Sequence, residues 1–304
     1  MDLLVVGSVG LDHVETPFGE IENALGGAAT YISVAASYFT KPVQLVGVVG
    51  EDFPKEHVQM LEDHMVELQH LEVVEGGKTF RWGGKYHDDL NVRDTLYTDL
   101  GVFEKFAPKI PEKFKKNSFI ILGNIIPSLQ QSVIDQLEGD NFIVTDTMNL
   151  WIENTLEDLL KVLKSTNALI INDSEARLLA KEANLIKAAK IIREMGPEYL
   201  IIKKGEHGAL LFHEDTIFSA PAFPLESVFD PTGAGDTFVG GFAGYLHSSG
   251  DMSFDNVKRA VIYGSAMASF CVEQFSTKGL EKLDKLKIHD RFLGFRELSR
   301  FEDE

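Results

Sequence analysis

Short, unbroken apolar runs punctuate the chain. Leu3–Val6, Val43–Val49, Phe119–Leu122, Phe142–Thr145, Ala168–Ile171 and Tyr199–Ile202 are apolar at nearly every position. A run without a polar face predicts a strand covered on both sides, as in a parallel sheet, and each has the length of an ordinary strand. Between them lie helical stripes. Gly27–Phe39 sets Ala28, Tyr31, Ile32, Ala35 and Phe39 on one face, and Pro127–Leu137 and Ile152–Leu163 repeat the pattern. Pro127 suits a first helical turn. Asp173–Lys181 and Ile186–Met195 follow. The alternation predicts an α/β fold, a three-layer αβα arrangement around a mostly parallel central sheet.

One stretch breaks the rhythm. Thr79–Val102 carries aromatic and β-branched residues, Gly83-Gly84 and Asp88-Asp89, but no helical stripe. It reads as short antiparallel strands, to which Val14–Phe18 adds another. We expect a small antiparallel lid built from insertions at about 13–19 and 78–103 on a single domain spanning 1–304. After Thr277 the chain is charged and ends in FEDE. It predicts a solvated tail, helical near Asp290–Ser299.

Composition narrows the partners. Forty-four per cent apolar residues are enough for a sizeable core. A net charge of −18 repels phosphate backbones and anionic lipid, so nucleic acid and membranes are not expected partners. Any phosphate site must therefore be built from backbone N–H groups, a few lysines or a metal. The single cysteine, Cys271, excludes an intrachain disulfide and reads as a buried small residue. The opening MDLLVVGSVGLD lacks a basic leader, and no run approaches the roughly 20 apolar residues of a membrane span. A cytoplasmic protein is expected.

The chemistry concentrates in Asp230-Pro-Thr-Gly-Ala-Gly-Asp-Thr-Phe-Val-Gly-Gly-Phe-Ala243. Thr232–Asp236 predicts a turn opening a helix that runs to about His247. Gly233 and Gly235 let backbone approach a ligand, and the free N–H groups of a first helical turn form an anion site. A carboxylate beside such a site is wasteful for binding alone. It makes sense where Asp236 accepts a hydroxyl proton while phosphate is attacked. The helix N-terminus is expected to keep Asp236 ionised. A plain Asp-capped helix is the competing explanation of a bare GxGD string.

This longer pattern resembles the second motif of the ribokinase-like (PfkB) carbohydrate kinases, and the resemblance extends over nearly the whole chain. It implies an ATP-dependent kinase using Mg2+, with a monovalent cation as a candidate activator. Asp236 would be the catalytic base, and Gly233, Ala234 and Gly235 would donate N–H groups to the γ-phosphoryl. Gly7-Ser8 with Asp12 looks like the family's opening, where the Asp holds substrate hydroxyls. Gly26-Gly27 is similar to its first motif. Gly47–Asp52 matches a further stretch, read mainly as turn geometry. Asn172-Asp-Ser-Glu175 looks like the NxxE motif, which organises magnesium through water; the same residues also read as a capping box. Lys203-Lys204-Gly205-Glu-His-Gly208 resembles the strand-turn-strand along the nucleotide, with Lys203, Gly205, Gly208 and Thr232 as nucleotide contacts. For the adenine the resemblance points to Val257–Phe275 and the turn before Gly279, with Ala266, Cys271, Phe275 and Gly279 as candidates. Asn124 and Asn149 follow strands, where open α/β sheets place ligands, and are candidate substrate contacts.

The chain departs from the family at one informative place. Many members have an Asn four positions after the Gly pair; here Tyr31 stands there, beside Thr30. A phenol cannot reproduce an amide's paired donor and acceptor, so specificity does not transfer. Tyr31 either stacks on an acceptor ring or points into the core. Lid residues Arg81 and Arg93 are candidates for a phosphate on an already phosphorylated sugar. A sugar or sugar phosphate is the leading acceptor, a nucleoside the alternative, and a non-catalytic nucleotide-binding regulator a further one. The scattered histidines lack zinc-ligand spacing. Lid strands could pair two copies into a homodimer.

Overall fold

The computed structural model describes residues 2–300. In chain order the strands are β1 (Leu3–Val6), β2 (Gly10–Thr16), β3 (Gly19–Gly26), β4 (Val43–Gly50), β5 (Val66–Val74), β6 (Phe80–Tyr86), β7 (Arg93–Asp99), β8 (Phe119–Leu122), β9 (Phe142–Asp146), β10 (Ala168–Asn172), β11 (Tyr199–Lys203), β12 (Ala209–His213) and β13 (Thr216–Ala220). The helices are α1 (Ala28–Ala36), α2 (Lys55–Asp63), α3 (Pro127–Ile134), α4 (Asn149–Asn154), α5 (Leu156–Leu163), α6 (Asp173–Ala180), α7 (Leu185–Arg193), α8 (Ala234–Ser249), α9 (Phe254–Cys271) and α10 (Lys285–Leu298).

The large sheet runs β13-β12-β11-β10-β9-β8-β1-β4-β5. It is parallel from β11 to β5 and antiparallel across β11-β12-β13. Its apolar runs are covered on both faces. Leu3 and Val5 pack with Ala29, Phe242 and Val261 from α1, α8 and α9, whereas Leu4 and Val6 join Val133 of α3 on the opposite side. Likewise Ala168 and Ile170 face the first layer, and Leu169 and Ile171 face Leu159, Ala176 and Ala189 of α5–α7. Each such side chain contributes roughly 1.5–3 kcal/mol on burial, so a polar residue at any of these positions would be costly. The strand order reverses beside β1, and the carboxyl ends of the strands there are where such sheets hold ligands.

A second sheet, β3-β2-β6-β7, stands beside the first. Its hairpins β2–β3 and β6–β7 are antiparallel and are joined by a parallel β2–β6 pair. It begins before the expected residue 13, because Gly10–Asp12 already pair with Phe80–Trp82. Asp52 anchors its root, accepting hydrogen bonds from Thr79 N (2.7 Å), Thr79 Oγ1 (2.8 Å) and Arg81 (3.3 Å). That supports the turn-geometry reading of Gly47–Asp52.

Two local readings change, and two elements went unread. β5 and α2 were not legible, because β5 is an edge strand whose Glu67, Gln69 and Glu72 mask its apolar positions. The helix expected over 152–163 is broken at Thr155, whose Oγ1 bonds Trp151 O at 3.1 Å. The region after Thr277 is not a solvated tail: α10 buries Ile288 and Phe295. Its Arg291 guanidinium stacks on Phe270 (3.9 Å) and Phe223 (4.4 Å) and donates to Ser269 Oγ and Glu273. The final FEDE lies outside the described residues. Among the described residues no helix is long and apolar enough to cross a membrane.

Candidate active site

Three neighbouring strands end on polar residues: β9 on Asp146, β10 on Asn172 and β11 on Lys203. Lys203 Nζ lies 4.0 Å from Asp146 Oδ1. The same amine sits 2.8 Å from where a Cβ on Gly235 would be, so the missing side chain lets it lie against the first turn of α8. The turn is held from below by fully buried Asp230, whose two carboxylate oxygens accept from Thr232 N (2.8 Å) and Ser276 N (2.9 Å). Gly233 has φ +75°, and a Cβ there would stand 2.4 Å from the Tyr31 ring. Both facts demand glycine.

The N–H of Ala234 is not an outward donor as expected: it closes the turn on Pro231 O at 3.2 Å. Gly235 N–H, at the positive end of a 16-residue helix, is left to receive an anion.

Asp236 lies in α8's first turn, with one carboxylate oxygen buried and without a hydrogen-bond partner among the described residues. Burial first, then the charges of Asp146 and Glu175, push its pKa to about 7, against the pull of Lys203. The helix N-terminus therefore does not hold it in the ordinary carboxylate range. Desolvation and two neighbouring acids outweigh the dipole. Glu175 is likewise raised to about 7 by burial and Asp146, and burial raises Asp146. Asn172 and Glu175 form the capping box of α6: Asn172 Oδ1 accepts from Glu175 N, and Glu175 Oε2 accepts from Asn172 N, both at 2.8 Å.

Asp12 projects from β2 over Gly26, where a Cβ would stand 2.1 Å from Asp12 Oδ2. Gly27 follows with φ +89° and would bring a Cβ within 2.5 Å of Ser8 O. The Gly pair thus admits the carboxylate and seats α1 on Ser8, which accepts from Ala28 N and Ala29 N. Burial, then Asp230 and Asp236, raise Asp12 to about 8. Trp82 is its partner in the parallel register, so both side chains share a face. The indole lies across Gly84, 2.0 Å from where a Cβ would be, and the Arg93 guanidinium lies over that indole at 4.9 Å. Two residues along, Tyr86 receives a hydrogen bond from Thr232 Oγ1 at 3.2 Å. At the hairpin tip Asn91 donates to Glu206 beside Gly205. The small sheet therefore reaches from Asp12, past the anion turn, to the β11–β12 turn.

The structure gathers Asp12, Gly26, Gly27, Asn172, Glu175, Lys203, Thr232, Gly233, Gly235 and Asp236 into one cluster of contacts and charges. It takes other candidates elsewhere. Thr30 is fully buried and donates Oγ1 to Gly26 O at 2.7 Å. Tyr31 is buried, its ring forming the floor beneath Gly233 and not a face for an acceptor. Asn149 is exposed at the start of α4, and Asn124 Oδ1 accepts from Trp151 Nε1. Gly205 is exposed against the hairpin tip, while Gly208 abuts Ala220 O. Phe275 packs on Gly19 of the β2–β3 hairpin, and Gly279 lies against Phe270 O. Ala266 and Cys271 are fully buried, and burial pushes the Cys271 thiol up to about 12. Arg81 is occupied by Asp52 at the sheet's root. On the outer face of the small sheet His13, Glu15 and Glu20 converge, with Glu15 already paired to Lys85. Sequence reasoning missed Asp146 itself, preferring Asn149 in the same segment. The available signal was a carboxylate ending an otherwise apolar strand.

A family model described as pfkB family carbohydrate kinase matches residues 2–283. A cytidine kinase from Thermococcus kodakarensis is 31% identical over 252 residues, 81% of this chain and 88% of that protein. A deoxyribokinase from Salmonella typhimurium is 34% identical over 319 aligned positions, covering 94% of this chain and 98% of that one. Among solved structures, the nucleoside kinase of Methanocaldococcus jannaschii superposes with a TM-score of 0.76 at 21% identity, covering 97% of this chain and 99% of the other.

Proposed function

Since the chain belongs to the pfkB family of carbohydrate kinases and is an ATP-dependent kinase of a sugar or nucleoside, we propose that its acceptor is a nucleoside, phosphorylated with Asp236 as base. The observation that carries this reading is the layer that Trp82 and Arg93 build on the face shared with Asp12: the indole lies against Gly84 and the guanidinium plane is stacked over the indole. A carboxylate suits a sugar's vicinal hydroxyls, and a guanidinium plane supported on an indole beside it suits a base attached to that sugar. Charge agrees. Asp12, Asp146, Glu175, Asp230 and Asp236 outnumber Lys203 and Arg93 in this cluster, which favours a neutral acceptor over a sugar phosphate. The likeness to a cytidine kinase points the same way.

Asp12 holds the sugar hydroxyls and aligns one of them near Asp236. Asp236, with a pKa near 7, takes the proton as the oxygen attacks. Gly235 N–H and the α8 dipole receive the phosphoryl oxygens, with Lys203 beside them. The buried oxygens of Asp146, Glu175 and Asp236, one unpartnered, fit Mg2+ held largely through water. That ion would screen phosphate charge. The small sheet acts as a lid that excludes water, Tyr86 meeting Thr232 at the turn. Its edge strand β7, exposed throughout, is where a second copy would pair.

The test is ATP consumption against pentoses, hexoses, their monophosphates and nucleosides. A nucleoside is expected to give the highest kcat/KM. Trp82→Ala, which removes the support of the Arg93 plane, is expected to raise its KM about tenfold or more, since base stacking is worth ~1–3 kcal/mol. A pentose or hexose turned over more efficiently than every nucleoside overturns the acceptor assignment.

A further inference from the structure

We propose that His13, Glu15 and Glu20 form a binding site for a divalent transition ion such as Zn2+ on the outer face of the small sheet, where the ion clamps β3 to β2 behind Asp12. The site is separate from phosphoryl transfer and does not depend on which acceptor is used.

Positions 13, 15 and 20 carry no zinc-ligand spacing in sequence; the hairpin brings them together. His13 and Glu15 are two apart on β2 and so share a face. Glu20 stands directly opposite Glu15 across the β2–β3 turn. One ligand atom from each lies within 4.8 Å of the other two. His13 Nε2 is 2.8 Å from Glu20 Oε1 and 3.9 Å from Glu15 Oε1. A tetrahedral zinc ion with N and O ligands about 2.0–2.2 Å away holds neighbouring donors about 3.3–3.6 Å apart. The two observed distances bracket that spacing.

The surroundings hold two of the ligands in place. Tyr97 leans across Gly83, 2.5 Å from where a Cβ would be, and its ring lies 6.2 Å from the His13 ring. Lys85, opposite Glu15 on β6, takes Glu15 Oε2 at 2.8 Å, which leaves Oε1 on the side of His13. Supports of this kind orient metal ligands. Lys85 does not make the place cationic, because its bond to Glu15 and the charges of Glu20 and Asp94 surround it. Glu20 is exposed and can swing onto an ion. An imidazole with two carboxylates suits Zn2+ better than Mg2+, which prefers oxygen alone. Binding would release the proton that His13 Nε2 shares with Glu20.

The place gives the ion a task. The β2–β3 register shifts between Asp12 and Val14 and skips His13. The hairpin is therefore least supported beside the carboxylate assigned to the acceptor, and an ion joining His13 to Glu20 spans that irregularity.

The experiment uses the full-length protein, stripped of metal by a chelator and returned to excess Mg2+. Equilibrium dialysis against Zn2+ is expected to leave one ion per chain. His13→Gln and Glu20→Gln should each weaken that binding at least about tenfold. His87→Gln, which breaks an exposed pair with Asp94 on the same sheet, should not. Hydrogen exchange in β2 and β3 should slow on adding Zn2+ to wild type and stay unchanged in Glu20→Gln. Because Glu20 is exposed, the metal-free melting temperature of that variant should match wild type, which checks that folding is intact. No retained Zn2+, binding undiminished in both variants, or binding that leaves exchange in the hairpin unchanged overturns the proposal. An ion lost in Asp236→Asn but kept in Glu20→Gln belongs to the acids of the large sheet and overturns it equally.

Discussion

The two sheets handle charge in opposite ways. At the carboxyl edge of the large sheet, Asp146, Glu175 and Asp236 are packed around one lysine and their pKa values rise. On the small sheet, acids and bases meet in solvent-facing pairs such as Glu15–Lys85 and His13–Glu20. Pairs of that exposed kind add little to stability, because solvent screens them. The buried acids instead destabilise the empty protein and are ready for a cation, a proton or a polarised hydroxyl. The large sheet can hold them because its strands are fixed on both faces. The small sheet is attached through Asp52 and Thr79, and in the proposed function it would supply recognition and closure.

The sharpest way to break this contrast is Asp236→Asn. It should lower kcat at least about a hundredfold, the low end of general acid–base contributions, while ATP still binds; near-normal turnover removes the base. The same residue gives opposite pH trends. With a folded pKa near 7 and an ordinary unfolded one, the group's contribution to stability is full below the usual carboxylate range and is lost as pH rises through about 7. Activity should rise over that interval. Thermal melts from pH 5 to 8 should therefore fall more steeply for wild type than for Asp236→Asn, and parallel melts would deny the buried charge.

A smaller effect is expected at the join between the sheets. Gly26→Ala would force Asp12 away from its place, where the introduced Cβ and Oδ2 would be 2.1 Å apart. Acceptor KM should rise about tenfold, the equivalent of ~1.4 kcal/mol, with nucleotide affinity unchanged. Equal losses for both substrates would show that the Gly pair serves folding instead. The smallest effect is expected from Tyr31→Phe. Its hydroxyl is buried without a well-formed hydrogen bond, and the ring alone supports Gly233. Steady-state constants should stay within about twofold; a large rise in acceptor KM would return Tyr31 to the substrate site.

Much of the fold was legible because the strands of a doubly covered sheet must be apolar throughout. The turn before α8 was legible because Gly233 answers a local requirement, a positive φ, whereas the Lys203 amine against Gly235 comes from a distant segment. β5 was obscured by its exposed acids, and α10 by charges that flank its docking residues Ile288, Arg291 and Phe295. Thr30 and Tyr31 were misplaced for a different reason. Their positions beside Gly27 are right for a ligand, but the helix turns Thr30 back to Gly26 O and Tyr31 under Gly233.

By itself the sequence determined the αβα architecture and the glycine turn that opens α8, since each depends on neighbours in the chain. The tertiary structure alone decided which carboxylate joins Lys203, how far Asp236 is raised, and that Arg93 stacks on Trp82 while Arg81 pairs with Asp52. Those depend on strand order, burial and register between segments distant in sequence, and no local pattern encodes them.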